Sequence, residues 1–469
     1  LHSCSKSTGS VMIMNQPATV YLALGSNLGD RVTHIHRALQ ALTAFATTIE
    51  TSFLYESRAQ YINDQPDFLN AVCRISTHLT PHELLAALEE TMQRLGRIRS
   101  VQYGPRSIDL DILFYEGLQL TTPDLTIPHP HLAERAFVLE PLCDIATDVR
   151  HPVLNLSMRQ LWVNLKAPAM PKVMPIGNQL WTWGQKTRLM GILNITPDSF
   201  SGDGLVSSGE DGVAQTVAQS VAQAQRFVDE GADCLDVGGI STRPGHVLIP
   251  VEEEIARVVP VIQALAQTVT VPISIDTFRA EVAQAALAAG AHLINDVWGL
   301  RFDAAIATLA ADAFAPLVVM HNRMQPEDAA YRARVQTMPM ALPYIYADLI
   351  DDMRSDLTQS LNLAQSMGVP RWLLIIDPGV GFGKTLEQHL ELLRRLAELK
   401  TMGYPLLFAA SRKNFVGRVL GGLPPQERVE GTLATGVLAL ERGADILRVH
   451  DVRVMHRAAQ MADAVVRPF

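Results

Sequence analysis

The chain has 469 residues, 48% of them hydrophobic and 19% charged, which is globular composition and excludes an intrinsically disordered protein. Its length asks for two domains, or for one α/β barrel of about 250 residues with a smaller companion. With 39 Lys and Arg against 48 Asp and Glu, the net charge of −9 argues against a nucleic-acid or membrane-surface partner. No apolar run reaches the roughly 18 residues of a membrane helix. Cys4, Cys73, Cys143 and Cys234 are far apart and form no C-x-x-C pair, so they read as reduced thiols of a cytoplasmic protein.

Residues 1–17 are polar apart from a short apolar stretch at 11–14, too short for a secretory core. We expect a disordered extension, with Met12 or Met14 as the starting residue. A strand is predicted over 19–24, then the turn Gly25-Ser-Asn-Leu-Gly-Asp30 and a helix over 31–44. Extended segments follow at 49–55 and 68–77. Thr80-Pro-His-Glu83 is a capping box opening a helix that runs to about 95 and stops at Gly96. A strand over 108–115 and a helix over 158–165 complete an α+β pattern with a largely antiparallel sheet. Residues 166–187 hold three prolines and little periodicity, and read as a linker.

The pattern then changes. Short apolar strands at 189–194, 234–238, 273–276, 293–296, 317–321, 373–377, 406–410 and 446–450 alternate with Ala-rich helical stretches. Eight such units predict a (β/α)8 TIM barrel over 188–469. A doubly wound sheet is the alternative, but no GxGxxG opens it. Asn194, Asp276, Asn295, His321, Asp377, Ser411 and His450 close or follow their strands, at the barrel end that carries active sites.

In Arg106-Ser-Ile-Asp-Leu-Asp-Ile-Leu113, the period of two sends Ile108, Leu110 and Ile112 to a core and Asp109 and Asp111 together to the other face. Paired carboxylates repel unless a cation lies between them, and hard oxygen ligands suit Mg2+ with nucleotide phosphates. A bare D-x-D is more often a solvated strand edge; Arg97, Arg99 and Arg106 nearby, with charge for phosphate oxygens, weigh against that. His129 and Arg135 read equally as structural or functional.

These residues bring in a family. The stretch over about 18–165 resembles 6-hydroxymethyl-7,8-dihydropterin pyrophosphokinase. The resemblance rests on Ala23-Leu-Gly-Ser-Asn-Leu-Gly-Asp-Arg31, Asp67-Phe-Leu-Asn70, Gly96-Arg-Ile-Arg99, Gly104-Pro-Arg-Ser-Ile-Asp-Leu-Asp111, Pro128-His129 and Arg135-Ala-Phe-Val138. It implies a ferredoxin-like α+β fold, with ATP as substrate. It also implies two Mg2+ ions on Asp109 and Asp111, and Arg97, Arg99, Arg106, His129 and Arg135 at the ATP phosphates. Phe68, Asn70 and Phe137 would hold the pterin. The sequence departs from the family at Tyr55-Glu-Ser-Arg-Ala59, where a Thr-Pro type segment is usual, and at Met92, where relatives often carry glutamate.

In the second half, Asn194 ends a strand and reads equally as a ligand or a turn cap. Gly238-Gly-Ile-Ser-Thr-Arg-Pro-Gly245 is an anion-suited loop or a flexible turn. Arg448 and His450 share a face near the last strands, where barrels often bind phosphate. Carboxylates and amides around the mouth match the edge of a guanidine-like heterocycle. This half resembles dihydropteroate synthase over about 188–469. The resemblance rests on Asn194-Ile-Thr-Pro-Asp-Ser-Phe200, Gly239-Ile-Ser-Thr-Arg-Pro-Gly245, Ser274-Ile-Asp-Thr277, Ile294-Asn-Asp296, Asp377-Pro-Gly-Val-Gly-Phe-Gly-Lys384, Ser411-Arg-Lys413 and Arg448-Val-His450. It implies that Asp276, Asn295, Asp377 and Lys413 bind the pterin, and that Asn194, Arg448 and His450 bind pyrophosphate and one Mg2+. Thr242 and Arg243 would belong to a mobile loop, and Ser411 and Phe382 would border p-aminobenzoate. Ile240, Arg279 and Ser201-Gly-Asp-Gly204 depart from the family pattern.

Together the resemblances imply a bifunctional folate-biosynthesis enzyme. Asp109, Asp111, Arg97, Arg106, Asp276 and Lys413 are its expected catalytic residues. ATP, 6-hydroxymethyl-7,8-dihydropterin and p-aminobenzoate are its expected small-molecule partners, and a homodimer through the barrel is expected. The alternatives are a pterin-dependent methyltransferase barrel, or a scaffold with one degenerate half.

Overall fold

In the computed structural model, which describes residues 16–60, 64–97, 104–196, 212–240, 249–324 and 346–467, the chain divides at Lys172/Val173 into two units. The first is built on β1 (Ala18–Ser26), β2 (Thr48–Thr51), β3 (Leu54–Ser57), β4 (Phe68–Thr77) and β5 (Asp109–Tyr115). Their order is β5-β1-β4-β3, with β2 also on β4, and every pairing is antiparallel. The helix α1 (Arg31–Leu42) starts where Asp30 accepts the Thr33 N–H at 3.0 Å. The helix α2 (Pro81–Arg94) starts on the expected capping box, the Thr80 N–H donating to Glu83 Oε2 at 2.8 Å.

After the small hairpin β6 (Leu120–Thr121) and β7 (Thr126–Ile127) come α3 (Ala136–Ile145) and α4 (Met158–Leu165). Val138, Leu139, Leu142, Met158 and Leu161 of these helices share a core with Tyr21, Val72 and Leu113 of the sheet. The sequence reading has no helix at α3. Pro141 inside it removes one backbone donor and obscures a pattern that packing completes.

The linker expected over 166–187 requires correction. Half of it is a β-hairpin, β8 (Lys172–Ile176) and β9 (Gln179–Thr182), closed by the two residues Gly177 and Asn178. Pro175 is tolerated in a two-stranded ribbon, and its presence hid the strand. Gln179 Nε2 donates to the Thr270 carbonyl and Arg188 lies over the Trp181 ring, so the hairpin packs beneath the N-terminal ends of the barrel strands.

Those strands are β10 (Arg188–Asn194), β11 (Cys234–Gly238), β12 (Ile273–Asp276), β13 (Leu293–Asp296), β14 (Leu317–Met320), β15 (Leu374–Asp377), β16 (Leu407–Phe408) and β17 (Ile446–Val449). They run in the order β15-β14-β13-β12-β11-β10-β17-β16, all parallel, and a bridge between Ile376 and Leu406 brings the two ends together into a nearly closed barrel. β16 is shorter than the 406–410 expected. The helices α5 (Gly212–Asp229), α6 (Val251–Thr268), α7 (Ala280–Ala289), α8 (Ala305–Ala313) and α9 (Leu349–Ser366) alternate with the strands. They are followed by α10 (Leu386–Arg394), α11 (Leu396–Lys400), α12 (Asn414–Val419), α13 (Val429–Glu441) and α14 (Val452–Val466). No helix among the described residues is long and apolar enough to cross a membrane.

Candidate functional site

Each unit gathers its own polar cluster. In the first, register does the work: Gly25 of β1 pairs with Asn70 on one side and Asp109 on the other, and Ala23 pairs with Val72 and Asp111. Paired residues share a face, so Asn70, Gly25 and Asp109 form one row and Asp111 stands in the next. A side chain at Gly25 would come 3.6 Å from Asn70 Oδ1 and 3.9 Å from the Phe68 ring, so the glycine leaves a recess bounded by these two residues. Asn70 Nδ2 donates to Ser57 Oγ at 2.9 Å, which fixes the amide. Ser57 belongs to the departing segment 55–59, and this is its contribution.

Asp109 is held by two arginines, Arg97 at 2.9 Å and Arg106. Burial and the neighbouring Asp111 nevertheless push its carboxyl up to about 6, and burial raises Asp111 too, against the pull of Arg135, Arg106 and Arg97. Two carboxylates that resist losing their protons side by side are a fitting seat for a divalent cation. His129 is driven down to about 4 by burial and by Arg135. Its Nδ1 accepts the His131 N–H at 3.2 Å, so the neutral ring keeps a donor at Nε2. Arg135 Nε is buried without a hydrogen-bond partner, a donor suited to an anion, and the guanidinium lies 5.6 Å from the Phe137 ring. The Met92 sulfur accepts from Arg97 Nη1 at 2.7 Å and from the Leu110 N–H at 3.2 Å, so this departure supports the arginine and β5. Arg99 lies outside the described residues.

In the barrel the cluster sits at the C-terminal ends of the strands. Arg448 of β17 donates to Asp236 Oδ2 at 2.5 Å and to Asp276 Oδ2 at 2.7 Å. Asn295 Nδ2 adds a bond to Asp236 at 3.1 Å. The other oxygens, Asp236 Oδ1 and Asp276 Oδ1, are buried with no donor. Burial raises the Asp276 carboxyl to about 7, with Asp236 adding to the rise and Arg448 opposing it. Burial raises Asp377 as well, although Lys413 and the Gly379 N–H, 2.7 Å from Oδ1, pull the other way. Burial lowers Lys413 to about 8; its Nζ donates to the Val380 carbonyl and lies 4.9 Å from the Phe382 ring centroid. Ser411 Oγ accepts the His450 N–H at 3.1 Å and lies 3.0 Å from His450 Nδ1. Asn194 ends β10, beside β17.

The structure thus brings Asp276, Asn295 and Arg448 together through Asp236, and Asp377, Lys413 and Phe382 through one loop. Arg448, expected at the pyrophosphate, is committed to two carboxylates. Thr242, Arg243 and residues 201–204 lie outside the described residues. The other departures are filled: Ile240 packs with Phe278, Val297 and Met320, and Arg279 donates at 2.8 Å to the buried Glu254. Sequence reasoning missed Asp236, whose signal was a lone carboxylate inside an apolar strand. It also missed His389, and it placed His321 at the barrel mouth without a role.

Comparison with known proteins matches each unit to a family. The model of the 7,8-dihydro-6-hydroxymethylpterin-pyrophosphokinase family matches residues 21–147, and that of the pterin binding enzyme family matches residues 190–450. The folic acid synthesis protein of Pneumocystis carinii is 40% identical over 95% of this chain, which spans 60% of that protein's length. The mitochondrial folate synthesis bifunctional protein of Pisum sativum is 37% identical over 98% of this chain and 91% of its own. A solved structure of Plasmodium falciparum HPPK-DHPS with pteroate is similar at a TM-score of 0.78, covering 96% of this chain and 98% of that one; at 20% identity it bears on the fold alone.

Proposed function

The chain belongs to the bifunctional folate-synthesis family, a hydroxymethyldihydropterin pyrophosphokinase followed by a dihydropteroate synthase, and we propose that its two polar clusters perform the two reactions. In the first unit the hydroxymethyl oxygen of 6-hydroxymethyl-7,8-dihydropterin attacks the β-phosphorus of ATP, and AMP leaves. Asp109 and Asp111 would hold Mg2+, two ions by the family resemblance, whose charge offsets that of the phosphates. Arg97 and Arg106, anchored on Asp109, line the phosphate path, Arg135 Nε and the neutral His129 donate to it, and the family resemblance adds Arg99 to the phosphate-binding set. The pterin lies in the recess over Gly25, against Phe68 and Phe137, with its donors on Asn70 Oδ1. The strand order β5-β1-β4-β3 with two crossing helices supports a ferredoxin-like fold.

In the barrel, the aniline nitrogen of p-aminobenzoate attacks the pterin methylene and pyrophosphate leaves. Asp276, Asn295, Asp377 and Lys413 bind the pterin, and Asp276 balances positive charge that develops on it. Arg448 fixes Asp276 and adds its charge to the leaving-group side, where Asn194 and His450 meet the pyrophosphate. By the family resemblance Asn194 would hold one Mg2+ ion through its amide oxygen, and the ion would supply positive charge to the leaving pyrophosphate. Phe382 and Ser411 border the aminobenzoate, and by the family resemblance Thr242 and Arg243 help to seat the substrates. The observation that carries this reading is the pair of buried acceptors, Asp236 Oδ1 and Asp276 Oδ1, waiting for donors such as those of a pterin edge.

Val454, Met461 and Val465 form an exposed apolar stripe on α14, which supports a homodimer through the barrel. The free thiols of Cys73, Cys143 and Cys234 suit the cytoplasm.

The test is incubation of the chain with Mg2+, ATP and the hydroxymethyl pterin, with and without p-aminobenzoate. AMP should form in both, and dihydropteroate only with the acid. Lys413→Ala should keep the first product and lose the second. Absence of AMP from the wild type would overturn the kinase reading, and absence of dihydropteroate from supplied pterin diphosphate the synthase reading.

A further inference from the structure

Residues 379–384 lie in the connection from β15 to α10 and carry Phe382, and they are tied down by groups that the reaction leaves idle. On one side Lys384 Nζ donates to the carbonyls of Gly379 at 3.1 Å and Phe382 at 3.2 Å, and to His321 Nδ1 at 3.1 Å. His321 Nε2 in turn lies 3.1 Å from Asp356 Oδ2, which also accepts from Arg323 Nε at 2.6 Å. On the other side the Gly381 N–H donates to His389 Nε2 at 2.7 Å. His389 Nδ1 donates to the Thr385 carbonyl, and its ring stacks on Phe415 with centroids 5.1 Å apart.

Both imidazoles are buried, and burial with the nearby Lys384 holds each down to about 4. Each is therefore a neutral ring with one nitrogen free to accept, which is the role its partners require. The segment has no slack. A side chain at Gly379 (φ +68) would collide with the His321 carbonyl oxygen, and one at Gly381 (φ +87) would lie 2.8 Å from Lys413 Cδ. What it holds is specific: the Val380 carbonyl takes the Lys413 ammonium, and the Phe382 ring flanks it.

We infer that His389, and Lys384 with His321, are positioning residues of the synthase reaction, fixing residues 379–384 so that Phe382 faces the aminobenzoate and Lys413 the pterin. This rests on the proposed synthase function.

The experiment compares the full-length wild type with His389→Leu, Lys384→Met and His389→Gln, which keeps an acceptor. Two readouts are used: hydrogen exchange of the peptide covering 379–384, and steady-state kinetics with supplied pterin diphosphate. Loss of one buried tie should speed exchange and raise KM for p-aminobenzoate by about ten-fold each, with kcat within about three-fold. His389→Gln should recover most of both. AMP formation by the first unit should be unchanged in all variants. Unchanged exchange, or faster exchange with KM unmoved, would overturn the inference. A wild type without dihydropteroate would overturn the function instead, leaving the exchange rates to decide whether these residues hold the segment.

Discussion

Asp276 and Lys413 are charged groups held by burial close to neutrality, the carboxyl raised to about 7 and the ammonium lowered to about 8. The signs set a narrow working range. Below about pH 7 Asp276 is protonated and loses the negative charge that balances the charge developing on the pterin. Above about pH 8 Lys413 is neutral and loses its charge. The expected kcat/KM for pterin diphosphate is a bell with its maximum between these values, each limb falling about ten-fold per pH unit. Asp276→Asn should lower the maximum and abolish the acid limb. A profile flat from pH 5.5 to 9 would show that neither group titrates in the free enzyme. Asp276 was legible because it closes a strand, and a barrel collects its strand ends at one mouth, whereas Lys413 was pointed to by the Ser411-Arg-Lys413 motif of the family resemblance. Asp236 was not, since a carboxylate two residues inside β11 reads as a core position. Its partners Asn295 and Arg448 stand 59 and 212 residues away in sequence, a proximity only the closed sheet creates.

Elements were legible where local chemistry and burial agree. The capping box at Thr80 and the apolar strands of the barrel carry their own signals, and both appear where expected. The hairpin of β8 and β9 was hidden because prolines outweighed the Gly177-Asn178 turn, and because its partner surface lies at 270 and 188 in the barrel. Trp181 is 1% exposed there, with its indole N–H on Gln179 at 3.1 Å. Trp181→Ala should therefore cost about 3–5 kcal/mol of barrel stability, the range for emptying a buried aromatic site. Chemical denaturation followed through loss of dihydropteroate synthesis would show an earlier midpoint, with the rate of AMP formation in native buffer unchanged. A shift no larger than that of a surface substitution would mean that the hairpin is an ornament.

At the scale of the molecule, each unit has its own core and its own polar cluster, and the proposed chemistry connects them by a single species, the pterin diphosphate. A second connection would exist only if that species passed between sites without release. The two cases separate on mixing. Asp109→Ala removes one carboxylate from the first cluster and leaves every residue of the second in place. Lys413→Ala does the reverse. Neither chain alone should make dihydropteroate from ATP, hydroxymethyl pterin and p-aminobenzoate. An equimolar mixture should, because the diphosphate made by the Lys413→Ala chain diffuses to the intact barrel of the other. The expected trace has a lag that shortens as the concentration of the mixture rises, since the intermediate must first build up in solution. If each variant keeps its own half-reaction and the mixture still makes no dihydropteroate, the diphosphate never leaves the chain that made it.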